Sequence, residues 1–191
     1  MDNEHWKTIE GMFDYAAFYD KIVEMAPKDA ILIELGTWLG MSTCYLAQKI
    51  KESGKTLTFY ACDLFTLPEG KVWSERCSQK NFYSIFLDNL KQQDVSAYVK
   101  PIIKDAIEFS QSFKDNSVYF LFLDDTHTEE HVYKELTAWL PKIRNDGIIS
   151  GHELCLPHIK AVVKRFTKEN NLTYEIDVPN DTWTINLQQR S

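Results

Sequence analysis

Two groups of residues in this chain have the types and spacing to do chemistry. The first is Glu34-Leu35-Gly36-Thr37-Trp38-Leu39-Gly40-Met41-Ser42, directly after the apolar run Ile31-Leu32-Ile33. Glycines at a break between strand and helix let the backbone come close to a ligand. The helix start beyond them offers unpaired N–H groups to an anionic end such as a carboxylate or phosphate. Asp63 closes the next apolar run, Phe59-Tyr60-Ala61-Cys62. A carboxylate there can accept both hydroxyls of a ribose, as acidic residues after the second strand do in nucleotide-binding folds; it can equally cap a turn. The second group is Asp124, Asp125 and His127 after Phe120-Leu121-Phe122-Leu123, with His152 and Glu153 after Gly147-Ile148-Ile149-Ser150-Gly151. Carboxylates beside imidazoles can move a proton or hold a metal, or the histidines can simply hydrogen-bond the carboxylates and steady the loops.

These residues act together only if the chain brings strand ends side by side. Apolar runs recur at Ala30 to Leu35, Leu57 to Cys62, Val99 to Ile103, Val118 to Leu123 and Gly147 to Ile149, each followed by helical periodicity. That alternation predicts a parallel sheet with crossover helices on both faces. Phe82, Ile85, Phe86 and Leu90 form one buried stripe, and Val132, Leu136, Trp139, Leu140 and Ile143 another. Thr126 and Glu129 fit a capping box ahead of the second stripe, and Asn145-Asp146-Gly147 reads as the turn that ends it. A further helix is expected over Pro157 to Lys168. Leu172 to Val178 and Thr182 to Leu187, separated by three residues, then predict a hairpin. The expected fold is a doubly wound, mostly parallel seven-stranded sheet with its last strand antiparallel. Residues 1–28 are expected as a helical cap at the open end of the sheet, residues 29–191 as the core, and 1–191 as one domain.

Composition narrows the function. The 191 residues are 44% apolar and carry a net charge of −7, which argues against a nucleic-acid partner. Cys44, Cys62, Cys77 and Cys155 have no C-x-x-C spacing and read as reduced thiols. The opening Met1-Asp2-Asn3-Glu4 lacks the build of a signal peptide, and no apolar run approaches a membrane span, so a cytoplasmic protein is expected.

The dinucleotide fingerprint G-x-G-x-x-G is absent, which disfavours a nicotinamide-dependent oxidoreductase. Glu34-x-Gly36-x-x-x-Gly40 instead resembles the first motif of class I S-adenosylmethionine (SAM)-dependent methyltransferases, and the resemblance implies the strand order 3-2-1-4-5-7-6. The run from Leu123 through Glu153, with its Asp-x-x-His and its Gly151-His152-Glu153 finish, is similar to the small-molecule O-methyltransferases of the macrocin and cephalosporin-associated type. The resemblance implies a SAM site built from Glu34, Gly36, Thr37, Gly40, Ser42, Asp63, Asp105, Ala106 and Asp124, in which the acidic residue and loop receive the amino-acid end of the cofactor. Asp105, in Ile103-Lys104-Asp105-Ala106, would accept from the adenine amine; it is also a candidate helix N-cap. The family often holds a divalent metal at these strand ends, here Asp124, Asp125 and Glu153. Two positions depart from its pattern: Glu stands at 153 where Asp is usual, and Asn145-Asp146-Gly147 replaces a Gly-Gly turn. Hard oxygen ligands favour Mg²⁺ or Mn²⁺, while imidazoles would also admit Zn²⁺ or Fe²⁺.

Methyl transfer to a hydroxyl requires alignment and loss of a proton, so Asp124 with His127 or His152 is the expected catalytic set, the choice between the histidines being open. The expected partner is a small-molecule acceptor, screened by Thr66 to Lys80 as a lid and by Gly11 to Tyr15. The oligomeric state is left open, a homodimer included. A SAM-binding domain without catalysis is the alternative from another class.

Overall fold

The computed structural model describes residues 4–66, 81–125 and 128–187. Its centre is a seven-stranded sheet of order β3-β2-β1-β4-β5-β7-β6. The strands are β1 (Ile31–Leu35), β2 (Thr58–Asp63), β3 (Lys100–Ile103), β4 (Val118–Leu123), β5 (Ile143–Gly151), β6 (Thr173–Asp177) and β7 (Thr182–Asn186). β1 pairs in parallel with β2 and β4, β2 with β3, and β4 with β5, while β7 runs antiparallel to both β5 and β6. All six residues of β4 are buried, as expected of a central parallel strand covered on both faces.

Side-chain alternation along the strands divides the core in two. Leu32, Phe59, Ala61, Phe120 and Phe122 point to one face, where α1 (Ala16–Met25), α2 (Met41–Ser53) and α3 (Phe82–Gln92) cover them. Ile33, Leu35, Cys62, Leu121 and Leu123 point to the other, under α4 (Ala106–Ser110), α5 (Glu129–Trp139) and α6 (Pro157–Glu169). α3 buries the predicted Phe82, Ile85, Phe86 and Leu90, and α6 buries Ile159, Val162, Val163 and Phe166.

Four details differ from the sequence reading. The N-terminal segment forms a short 3₁₀ turn, Glu4–Thr8, and α1, and α1 lies on the sheet face rather than at its end: Phe18 and Tyr19 sit with their ring centroids 5.2–6.1 Å from Phe120 and Phe122. The cap of α5 is Thr128, whose Oγ1 accepts from His131 N; Thr126 lies outside the described residues. The helix ends at Trp139, followed by a 3₁₀ turn over Leu140–Lys142, so Ile143 opens β5 instead of closing the helix. Asn145-Asp146-Gly147 accordingly lies inside β5. The register steps from Val118↔Ile143 to Phe120↔Ile148, a bulge that Asn116 Oδ1 secures by accepting from Asn145 N.

Cys44, Cys62 and Cys155 are free thiols, and Cys77 is outside the described residues. Among those residues no helix is long and apolar enough to cross a membrane.

Candidate functional site

The loop between β1 and α2 winds through three left-handed residues, Gly36 (φ 79°), Trp38 (φ 49°) and Gly40 (φ 90°). This conformation is strained for tryptophan, and Asp63 at the end of β2 holds it. Its Oδ2 accepts from Thr37 N at 2.8 Å and Trp38 N at 3.1 Å, and its Oδ1 accepts from Phe65 N at 2.7 Å. Of about four lone-pair positions on a carboxylate three are used, so Asp63 as placed has room for one ribose hydroxyl rather than the expected two.

The glycines serve a different purpose from the one their spacing suggests. A Cβ on Gly36 would lie 2.3 Å from the Asp124 carbonyl oxygen, and a Cβ on Gly40 would lie 2.9 Å from the Phe86 ring. Both let chain approach chain. Glu34 is likewise structural. It is fully buried and is not in the wall of the cavity above the loop; its two oxygens accept from the Tyr19 and Thr43 hydroxyls, and burial raises its carboxyl to about 7. The expectation that it receives the cofactor directly is corrected: Glu34 fixes the underside of the loop.

Above the loop opens a cavity of about 850 Å³, within the range of about 300–1,000 Å³ usual for ligand pockets. Gly36, Thr37, Ser42, Asp63, Asp105, Ala106 and Asp124 line it, as expected; Glu34 and Gly40 do not. Helix α2 begins without a side-chain cap, which leaves its leading amides available to an anion beside Met41 and Ser42 in the cavity wall. Thr37 Oγ1 is buried there with no hydrogen-bond partner, an unfilled bond that a ligand with polar groups would complete. Further round, Asp105 Oδ1 caps α4 by accepting from Ile107 N and Glu108 N at 2.9 and 3.0 Å. The capping alternative therefore holds for that oxygen, while the side chain still faces the cavity. Burial pushes the Cys62 thiol up to about 12, so this thiol stays protonated and unreactive. These features fit a nucleoside with an amino-acid tail: an amide-lined end at α2, then carboxylates at the ends of β2 and β3.

The opposite wall comes from the ends of β4 and β5. Asp124 N donates to Leu35 O at 2.8 Å and His152 N donates to Leu123 O, which locks both loops to the sheet. Tyr15, fully buried, donates its hydroxyl to Asp124 Oδ2 at 2.9 Å, and His152 Nδ1 stands 3.5 Å from Asp124 Oδ1. On its other side His152 Nε2 lies 3.1 Å from the exposed carboxylate of Asp14. Burial works against a charged imidazole, but Asp124 and Asp14 outweigh it and raise the His152 pKa above its ordinary value. Of the two candidate bases, His152 is in the cavity wall; His127 lies outside the described residues.

The expected metal set does not assemble. Asp124 is engaged by Tyr15 and His152, while Asp125 turns to a different pair. His131 Nε2 lies 3.3 Å from Asp125 Oδ2 and 3.5 Å from Glu135 Oε1, and these two carboxylates raise the imidazole to about 10. Glu135 is fully buried, and desolvation pushes its carboxyl well up. Glu153 lines the cavity in a left-handed conformation (φ 60°). The sequence reading passed over His131 and Glu135. Their signal was a glutamate inside the apolar stripe Val132, Leu136, Trp139, one helical turn after a histidine.

Of the expected coverings, Gly11 and Met12 border the cavity, joined by Glu10. From the stretch Thr66 to Lys80, Thr66 also borders it and 67–80 lie outside the described residues.

Comparison with known proteins agrees with this fold. Among solved structures, the O-methyltransferase NovP superposes with a TM-score of 0.69 at 18% identity, over 90% of this chain and 78% of NovP. Precorrin 8w decarboxylase from Methanobacterium thermoautotrophicum does so with a TM-score of 0.64 at 16% identity, over 94% and 92%. The Streptococcus mutans protein SMU.1697c, solved in complex with SAH, gives 0.61 at 13% identity, over 92% and 98%. At these identities the likeness concerns the fold. A search of curated proteins finds no match. A family profile described as a methyltransferase domain matches residues 33–154, from within β1 to just beyond β5 and so across both walls of the cavity. The chain belongs to that methyltransferase-domain family, within the class I SAM-dependent methyltransferases.

Proposed function

We propose that this protein transfers the methyl group of SAM to a hydroxyl of a small molecule, with His152 as the general base. The observation that carries the reading is the placement of His152 in the same cavity as the β1–α2 loop, with Asp124 behind it and a dispensable partner, Asp14, in front. SAM supplies an activated methyl group on a sulfonium. The acceptor oxygen forms a bond to the methyl carbon as the carbon–sulfur bond breaks, its electron pair returning to sulfur to give S-adenosylhomocysteine. The hydroxyl proton passes to His152 Nε2 once the acceptor displaces Asp14, whose side chain is 62% exposed. Asp124 holds the ring through Nδ1 and stabilises the imidazolium that forms, and Tyr15 fixes Asp124. Thr37, the start of α2, Asp63 and Asp105 hold the cofactor. Exposed Met12 beside Glu10 at the rim provides an apolar contact for the acceptor's carbon skeleton.

We also place the protein in the cytoplasm, where SAM is made and thiols such as Cys44 and Cys62 stay reduced. We read 1–191 as one domain, because both apolar clusters share one sheet.

The test measures S-adenosylhomocysteine release across a panel of phenols, sugars and aliphatic alcohols. His152→Ala lowers kcat by about 10²–10⁴ with little change in cofactor affinity. The rate climbs with pH through the raised His152 pKa, because the neutral ring is the base. Asp14→Asn moves that limb to lower pH. A His152→Ala enzyme with full activity on an acceptor that the wild type methylates would overturn the assignment.

A further inference from the structure

Helix α5 carries a charged pair where its spacing calls for apolar residues. His131 and Glu135 are four residues apart, so they share one face, and Glu135 lies among Val132, Leu136 and Trp139 with no exposed surface. A buried carboxylate ordinarily collects several hydrogen bonds. Neither oxygen of Glu135 accepts one of good geometry; the side chain faces His131 Nε2 at 3.5 Å and lies close to Asp125. The same nitrogen faces Asp125 Oδ2 at 3.3 Å, and one donor atom from each of the three residues lies within 4.8 Å of the other two.

These separations match shared coordination. Two donors each about 2.1 Å from one ion, at a tetrahedral angle, stand about 3.4 Å apart. Metal binding displaces the imidazole proton, and the neutral ring with two carboxylates then leaves two negative charges, which one divalent cation cancels. Asp125 and His131 border the cavity, so three protein donors here leave a coordination position open to water or to an acceptor oxygen.

We infer that Asp125, His131 and Glu135 bind one divalent transition-metal ion on the flank of the cavity formed by α5. The mixed nitrogen and oxygen donors suit Zn²⁺, Fe²⁺, Co²⁺ or Mn²⁺. The ion adds a cofactor to the methyl-transfer reading at a place separate from His152, and its binding is measurable without turnover, so either statement can fail alone.

The experiment strips the full-length protein with EDTA, removes the chelator and titrates with Co²⁺, following visible ligand-field absorption and calorimetric heat. The wild type takes up one equivalent. His131→Ala and Glu135→Gln each weaken binding by at least about tenfold, while Glu153→Gln binds as the wild type does. Circular dichroism checks that each variant is folded. Should Glu135→Gln not fold, His131→Ala decides, since its side chain is already 24% exposed. Absence of Co²⁺ binding by the wild type overturns the site. So does a site that Glu153→Gln abolishes and His131→Ala leaves intact, which would move the ion to the end of β5.

Discussion

Three carboxylates near the cavity, Glu34, Asp63 and Asp105, spend half or more of their bonding capacity on the protein itself. Glu34 takes two buried hydroxyls, Asp63 takes three amides and Asp105 takes two. Sequence identifies such residues because acidic side chains at strand ends are chemically conspicuous. It does not reveal which way each one turns, since that depends on which amides and hydroxyls the fold brings alongside. Seven of the nine expected cofactor residues line the cavity for this reason, while His131 and Glu135 were hidden inside a stripe read for its apolar members.

The burial of Glu34 has a consequence for stability. Its carboxyl titrates near 7 in the folded protein and near 4.5 when exposed, so the folded state holds the proton more tightly. Its contribution is complete below about pH 4.5 and is lost as pH rises through 7, a change of about 3 kcal/mol. In urea unfolding the wild type therefore loses stability between pH 5 and 8, and Glu34→Gln loses roughly 2–3 kcal/mol less over the same interval. An equal loss in both proteins would show that Glu34 ionises normally.

The β1–α2 loop is positioned by elements on either side of it. Gly36 lies against the backbone of the β4 loop and Gly40 against Phe86 of α3, so the loop is wedged between a strand end and a helix. Gly54, at the end of α2, also has a left-handed backbone (φ 64°) but meets nothing within 4 Å. Alanine at Gly54 costs about 1–2 kcal/mol, the backbone penalty alone. At Gly40 the ring contact raises the cost to about 2–4 kcal/mol. At Gly36 the cost exceeds about 4 kcal/mol, because backbone rather than a side chain would have to move. Thermal or denaturant unfolding of the three variants checks the order, and a Gly36→Ala protein as stable as Gly54→Ala would contradict it. Element type was legible in the apolar periodicity. The boundaries of α5 and β5 were not, because the Thr128 cap and the bulge at 144–147 depend on contacts with neighbouring segments, among them Asn116.

Across the whole molecule, alternation of strand and helix followed by a closing hairpin was enough to anticipate a parallel sheet ending in an antiparallel pair, since a parallel connection needs a crossover and three residues permit only a hairpin; the order of the strands came with the resemblance to the methyltransferases. The position of α1 was less accessible. Its aromatic residues, Phe18 and Tyr19, match Phe120 and Phe122 only once β4 is central, and that placement carries Tyr15 to Asp124 at the cavity wall. One cavity thus gathers the ends of β1, β2, β4 and β5, the start of α4 and the segment before α1. A crystal structure with S-adenosylhomocysteine tests this arrangement most directly. The expected complex has the amino-acid end over Thr37 and the start of α2, with Thr37 Oγ1 bonded, the adenosine between Asp63 and Asp105, and the sulfur facing His152. A nucleoside bound at any other surface, or bound here in the reverse direction, would contradict it.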